Sequence, residues 1–349
     1  MQTFKVSILD FAPAVTETDY GILITVHTLL ESSSNPSNPD ILGFIRFKKD
    51  PGSVELINFG ASLDSQCLEI GYSSKLGQES LAGGHGEGLK VAALVLCRNH
   101  YRVHIAANSL YWNFGFGGTS RANFYCRLSE PSANVIHQQE DAYENQMASE
   151  APRGLTASIG HDVSVLIGRE RGRDRNSDEG RVSVGEFQRW METTVDLDRP
   201  SASIRTPSGD LILDPRFAGR IYLKGLQLPM ASSAGNPLHY GYNLFHGSVN
   251  RDRRWLIDSR RQAEILASIW ESAIKQDKDT ILPRYVDLLR YHPSAADVGF
   301  ADHVVSALTA NHIWAALLRE AIENGLFYYC QGRADTVSGE CSSPLGIDI

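Results

Sequence analysis

Between Leu81 and Leu96 the chain reads LAGGHGEGLKVAALVL, four glycines with a histidine and a glutamate, followed by an apolar run. Glycine loses more freedom on folding than any other residue, so Gly83, Gly84, Gly86 and Gly88 mark a place that needs bare backbone. A glycine loop that opens onto a helix N-terminus exposes N–H groups with no partner inside the helix, and the helix dipole adds positive potential. That is a site for phosphate or another anion, and the same residues also suit a plain glycine-rich turn. Upstream, IGYSSKLGQES supplies the hydroxyls of Ser73 and Ser74 and the ammonium of Lys75, all useful beside phosphate. Earlier still, residues 18–32 predict a buried helix with Thr18 or Asp19 as its N-cap, ending in LLESSSN. On that helix Glu31 and Asn35, four apart, share a face. A carboxylate can orient or deprotonate a water, and an amide oxygen one turn along can ligate Mg²⁺. Pro36 fits a second reading, in which the two residues merely cap a helix end.

The elements that must position these groups follow from hydrophobic spacing and turn chemistry. ILGFIRFKK (41–49) and SVELINFG (53–60) predict a hairpin about KKDPGS. GLKVAALVLCRNH (88–100) predicts a helix after the glycines, and YRVHIAAN, LYWNFGF, ANFYCRLS and DVSVLIG (162–168) predict further strands. Residues 133–153 are polar and weakly patterned, a loop or short helix. RERGRDRNSDEGR (169–181) reads as a solvated loop, and VGEFQRWMETTV as a short amphipathic helix. Further on, SIRTPSGDLILD and GRIYLKGLQLP read as strands, LHYGYNLFHG leads into NRDRR, and residues 258–276, 283–291 and 301–324 show helical spacing. There is no internal repeat.

With 349 residues the chain exceeds one ordinary core, so two domains are expected, at 1–195 and 196–330, followed by an unstructured tail at 331–349. Its net charge of −8 argues against nonspecific binding of nucleic acid or a membrane surface by the chain as a whole, though it leaves room for a local basic patch. Cys67, Cys97, Cys126, Cys330 and Cys341 are scattered, without a CxxC pair. They read as free thiols in a reducing, intracellular compartment, cytoplasmic or nuclear. The N-terminus has no signal-peptide pattern, and no membrane span is expected.

A helix with Glu-x-x-x-Asn, a hairpin strand ending in a glycine turn, Ser-Ser-Lys, then Gly-His-Gly-Glu-Gly-Leu-Lys: this order resembles the GHKL ATPases, the superfamily of gyrase B, MutL, the large heat-shock chaperone, histidine kinases and the MORC proteins. The glycine stretch is most similar to the MORC-like and phage lysis-inhibition-type forms. The likeness covers roughly residues 15 to 170, and GDLILDPRFAGRIYLKGLQLP with YGYNLFHGSVNRDRR resembles the transducer-like domain of the same proteins. The fold this implies is α+β: a GHKL (Bergerat) α/β sandwich that binds nucleotide, then a transducer-like α+β domain and C-terminal helices. ATP and Mg²⁺ are the implied cofactors. Glu31 matches the residue that activates the attacking water, and Asn35 the Mg²⁺ ligand. Gly84, Gly86 and Gly88 match the lid around the phosphates, His85 and Glu87 adding main-chain contacts, with Lys75 and Lys90 close by. Lid closure and homodimerisation are implied by the resemblance alone. Lys224 is either a transducer lysine reaching the γ-phosphate or an ordinary strand-edge lysine.

The chain also departs from that pattern. Where the family has Asp-x-Gly-x-Gly for the adenine amino group, INFGASL places Asn58, Gly60 and Ser62. Asn58 still accepts through its amide oxygen. The later Gly-Thr appears as Gly160-His161-Asp162, without the hydroxyl. A shifted register puts Thr28 and Ser32 at the catalytic pair and leaves no base. Two rival functions therefore stay open beside an ATP hydrolase: a pseudo-ATPase interaction module that senses nucleotide or has lost it, and an enzyme reusing the pocket for a small molecule with His85 or Glu87 as acid or base. His27 reads as a core histidine. His239 and His246 lack a ligand partner at metal spacing, and Arg251 and Arg253 with Asp252 read as an ion-pair cluster.

Overall fold

A computed structural model describes residues 11–28, 40–69, 71–72, 86–119, 122–149, 153–168, 180–229, 237–247, 259–299, 301 and 305–325. They form two compact units, one reaching to Met191 and the other starting at Glu192. The class is α+β, with one large antiparallel sheet and six helices among the described residues.

In the first unit, strands β1 (Phe11–Thr18), β2 (Gly21–Thr28), β3 (Ile41–Lys48) and β4 (Ser53–Asn58) form a meander. After helix α1 (Gly88–Arg98) come β5 (Arg102–Ala107), β6 (Leu110–Gly117) and β7 (Asn123–Ser129), then helix α2 (Ala133–Met147), β8 (Val163–Gly168) and helix α3 (Val184–Met191). The sheet order is β1-β2-β3-β4-β8-β5-β6-β7, every pair antiparallel. The last strand in sequence thus inserts between β4 and β5. Ala93 of α1 joins Val103, Ile105, Ala107, Trp112 and Phe114 in one buried cluster.

Two local expectations are corrected. Residues 18–32 do not begin as a helix: Gly21–Thr28 is strand β2, paired with β1 on one side and β3 on the other. Thr18, the expected N-cap, instead donates from its hydroxyl to the carbonyl of Gly21 in the hairpin turn, at 3.2 Å. The run is rich in β-branched residues (Ile22, Ile24, Thr25, Val26, Thr28), which lose little on a pleated surface and more on a helix. Gly21 sits so close to its neighbour that a Cβ would lie 2.0 Å from the Phe47 carbonyl oxygen, a backbone approach that only glycine allows. Residues 133–147 form a 15-residue helix although none of its side chains is buried, which is why the apolar pattern there is faint.

The second unit holds β9 (Ser203–Arg205), β10 (Gly209–Ile212), β11 (Ile221–Leu223), β12 (Leu226–Gln227) and β13 (Gly241–Leu244), in the order β12-β11-β13-β10-β9. β11 and β13 are parallel and the other pairs antiparallel. Helices α4 (Ser259–Gln276), α5 (Lys278–Tyr291) and α6 (Ala307–Asn324) follow. α5 starts five residues before Pro283, capped by Asp277, whose carboxylate accepts from Thr280 N–H at 3.2 Å. The core joins Leu211, Tyr242 and Leu244 of the sheet to Ile269, Trp270 and Tyr285 of the helices. A buried carboxylate, Asp297, fastens the approach to β13. It accepts from the N–H groups of His239 (2.8 Å) and Tyr240 (3.1 Å) and from the Tyr242 hydroxyl (2.5 Å), which itself accepts from Trp270 Nε1 (2.9 Å). Lys224 and Gly225, at φ 52° and 81°, are the two-residue turn of the β11–β12 hairpin, so Lys224 lies in a turn and not on a strand edge.

Candidate functional site

The register Asn58↔Val163 sets the end of β4 beside the start of β8. Both strands break here: β4 into Phe59-Gly60, and β8 from the segment 153–162. Gly60 adopts φ +62°, the left-handed region that glycine enters without strain. Its N–H donates to Asp162 Oδ1 at 2.9 Å. Asp162 is buried, and its carboxylate also accepts from Ser158 N–H at 2.8 Å and from the Arg153 guanidinium at 2.7 and 2.8 Å. The guanidinium lies over the buried Phe59 ring, 3.8 Å from its centroid, and 5.5 Å from that of Tyr143. Such stacking holds a planar cation in place.

The segment is held from behind by α2. Gln139, Tyr143 and Gln146 repeat at i, i+4 and i+7, one helix face. Gln139 accepts from Ile159 N–H at 2.9 Å, Gln146 accepts from Gly154 N–H at 3.1 Å, and Tyr143 stacks on His161 at 3.9 Å with ring planes 5° apart. Those polar anchors explain why a helix with no buried residue stays docked. The hydroxyl of Ser158 is buried and makes no hydrogen bond among the described residues.

Asn58 is exposed at the strand end, and among the described residues its amide makes no hydrogen bond. It therefore offers an acceptor and a donor side by side. Ser62 is exposed and has no left-handed backbone, so the serine does not strain the turn. Gly86 does need glycine, at φ +68°. Glu87 is the N-cap of α1 without a side-chain cap bond, and Gly88 is the first helical residue. The ammonium of Lys90 is engaged by carbonyl oxygens, that of Cys67 at 3.2 Å and that of Glu69. Glu31, Asn35, Ser73, Ser74, Lys75, Gly84 and His85 lie outside the described residues, as do Arg251, Asp252, Arg253 and residues 331–349.

The structure thus brings Asn58 and Gly60 together with Asp162. It adds Arg153, Tyr143 and Gln139, for which no motif or spacing spoke in advance. Asp162 was flagged only as part of Gly160-His161-Asp162, directly before the strand that pairs with β4. His161, expected to disrupt a Gly-Thr pattern, turns to Tyr143 and leaves the contact with Gly60 to its neighbour.

Of the other candidates, His27 Nε2 lies 2.7 Å from Thr25 Oγ1 on β2, and its Nδ1 is buried without a partner among the described residues. His239 stacks on His292 at 3.8 Å. No cluster of three His, Cys, Asp or Glu with metal-ligand geometry occurs among the described residues. Cys67, Cys97 and Cys126 are free thiols. Burial raises the first two above the usual range and lifts Cys126 to about 11, so none is a thiolate near neutral pH. No described helix is long and apolar enough to cross a membrane. A scan of protein-family models finds none that matches this chain, and a search of curated proteins finds no significant match.

Proposed function

We propose that the first unit binds an adenine nucleotide at the joined ends of β4 and β8, as a GHKL-type nucleotide-binding domain. The observation that carries this reading is the Gly60 N–H···Asp162 bond. It ties together Asn58-Phe59-Gly60, which the resemblance matches to the adenine-reading Asp-x-Gly-x-Gly, and Gly160-His161-Asp162, which it matches to the later Gly-Thr. Asn58 reads the base: an amide oxygen can accept from the adenine amino group while the amide NH₂ donates to a neighbouring ring nitrogen. Phosphates belong at the glycine-rich approach to α1, where Gly86 already has the left-handed backbone and the first N–H groups of the helix face forward. Asn35 with Mg²⁺, and Glu31 as the group orienting the attacking water, rest on the resemblance and the sequence spacing. Bound Mg²⁺ would neutralise phosphate charge, and this chain's residues would bind and orient the triphosphate.

A second reading keeps the fold and drops the turnover. It is favoured by β2, a strand at Gly21–Thr28 where the helix bearing the water-activating glutamate was expected to begin. In both readings the output is conformational, a lid closing over the nucleotide. Calorimetric titration with ATP, and separately phosphate release, distinguish them. Binding lost in Asn58→Ala supports the shared claim, and release abolished in Glu31→Gln with binding intact selects the hydrolase.

A further inference from the structure

Helix α6 of the second unit is apolar on two opposite sides. Its inner row, Thr309, Ile313, Leu317 and Ala321, repeats every four residues and is buried, with Ile313 and Leu317 in the core of that unit. The outward side carries Leu308, Asn311, Ala315, Leu318 and Ile322. Leu308 is 53% exposed, Leu318 62% and Ile322 73%, and Asn311 and Ala315 are exposed as well. Leu308, Ala315 and Ile322 stand seven residues apart and so form one line along the helix; Asn311 and Leu318, also seven apart, form a second line beside it.

A single exposed leucine needs no explanation, whereas a continuous apolar stripe marks a surface that meets another one. The helix does not need these side chains to form. Ser306 caps its start, accepting from Thr309 N–H at 3.3 Å, and Gly325 closes its end at φ +64°. Lysine, glutamate or alanine at the outward positions would serve the helix as well. Charge is missing too: no Lys, Arg, Asp or Glu occurs from Ala307 to Leu318. Glu320, further on, is taken by Arg290 of α5 at 2.7 Å through both oxygens. A solvated helix face carries charge at such positions, and this one does not.

We propose that the outward face of α6 is a homodimer interface, in which the helix pairs with α6 of a second copy of this chain across a two-fold axis. The face is self-complementary, as such an interface requires. With the two helices antiparallel, Leu318 of each copy meets the partner's Ala315, a large side chain on a small one. The same register sets Ile322 over the partner's Asn311, the one polar residue of the stripe, which fixes the pairing at a cost in stability. Two chains of net charge −8 repel, and an uncharged face is where two copies can meet. From Leu308 to Ile322 the stripe runs about 21 Å along a helix about 10 Å wide. That footprint falls well short of the ~800 Å² per partner of a standard interface, so the pair is reversible and concentration-dependent. The inference does not rest on the nucleotide reading, since α6 belongs to the second unit and the stripe contains no part of the proposed nucleotide site.

Sedimentation velocity of the full chain between about 2 and about 200 µM, the range in which weak pairs dissociate, reads the association. A reducing agent is present and nucleotide is not. The mean mass should rise with concentration from that of one chain toward that of two. Leu318→Arg and Ile322→Arg should each weaken the pair at least about tenfold, since a dimer would then bury an unpaired charge. Both side chains face outward, so at the lowest concentration their Tm should stay within about 2 °C of wild type. Ala315→Leu keeps the helix propensity and closes the recess for Leu318, so it should weaken the pair as well. A chain that stays single at the top concentration, a dimer indifferent to both arginine variants or tightened by Ala315→Leu, or a dimer that needs ATP and Mg²⁺ would each overturn the proposal. So would arginine variants that lower the Tm of a chain that stays single, the mark of a face covered from within one chain.

Discussion

Replacing Asp162 by alanine should destabilise the first unit more than any other single polar change at the β4–β8 end. The carboxylate is 1% exposed and serves three donors: Gly60 N–H, Ser158 N–H and the Arg153 guanidinium. Removing it strands all three. Breaking one side of a buried ion pair costs about 3–5 kcal/mol, because the remaining charge is left uncompensated. Arg153 is 22% exposed, so water reaches part of its head and the lower figure, about 3 kcal/mol, applies. For a unit of this size that corresponds to a fall in Tm of about 6–12 °C. Arg153→Ala should cost less, about 1–2 kcal/mol, because Asp162 keeps two backbone donors. The double variant should cost no more than Asp162→Ala alone, since the first change already destroys the pair. Urea unfolding of the four proteins, followed by tryptophan fluorescence, measures the cycle. A loss below about 1 kcal/mol for Asp162→Ala, or strictly additive single changes, would show that Asp162 does not hold Arg153 in a buried pair.

In the second unit, Tyr242→Phe should cost about 2–3 kcal/mol, because it leaves Trp270 Nε1 without its acceptor and Asp297 one donor short; chemical denaturation against wild type measures it. Glu186 supplies a pH prediction. Ser183 N–H, then the Tyr101 hydroxyl and the Ser183 hydroxyl, hold its carboxyl below the usual range. Its contribution is therefore present above the unfolded value near 4.5 and lost as pH falls through the lower folded value. The urea midpoint of Glu186→Gln should fall less between pH 5 and pH 3 than that of wild type, and an equal fall in both would contradict the assignment. The same contact should show in Tyr101, pushed up to about 12 by burial and by Glu186, so Tyr101→Phe should delete the ultraviolet phenolate step at that pH and leave the steps nearer 10 intact.

The antiparallel hairpins were legible because their turns carry strong chemistry. Asp50-Pro51-Gly52 between two β-branched runs leaves few alternatives, and β3 and β4 lie where those runs lie. α1 was equally plain, an apolar run fenced by glycines and by Asn99. The stretch 18–32 misled because a continuous apolar run has no period of its own. Its β-branched residues, and a glycine pressed against the Phe47 carbonyl, decide for a strand that only the neighbours β1 and β3 make visible. β13 was hidden in YGYNLF for the same reason: every residue of it is buried, so it shows no alternation. At the candidate site, Asn58 and Gly60 could be named from sequence. Asp162 stood only as the last residue of the Gly-Thr counterpart, and neither its bond to Gly60 nor Arg153 could be named, since Asp162 lies 102 residues from Gly60 along the chain and only the insertion of β8 beside β4 brings the two together.

We propose that adenine nucleotide binds where β4 ends. Titrating the full chain with ATP and Mg²⁺ by calorimetry, beside Asn58→Ala, tests it most directly. The wild type should bind ATP saturably at one site, and the variant should lose about 1–3 kcal/mol, the discrimination expected of a bidentate amide–base contact. A wild-type protein that takes up no heat with millimolar ATP, or an Asn58→Ala variant that binds ATP unchanged, would contradict it.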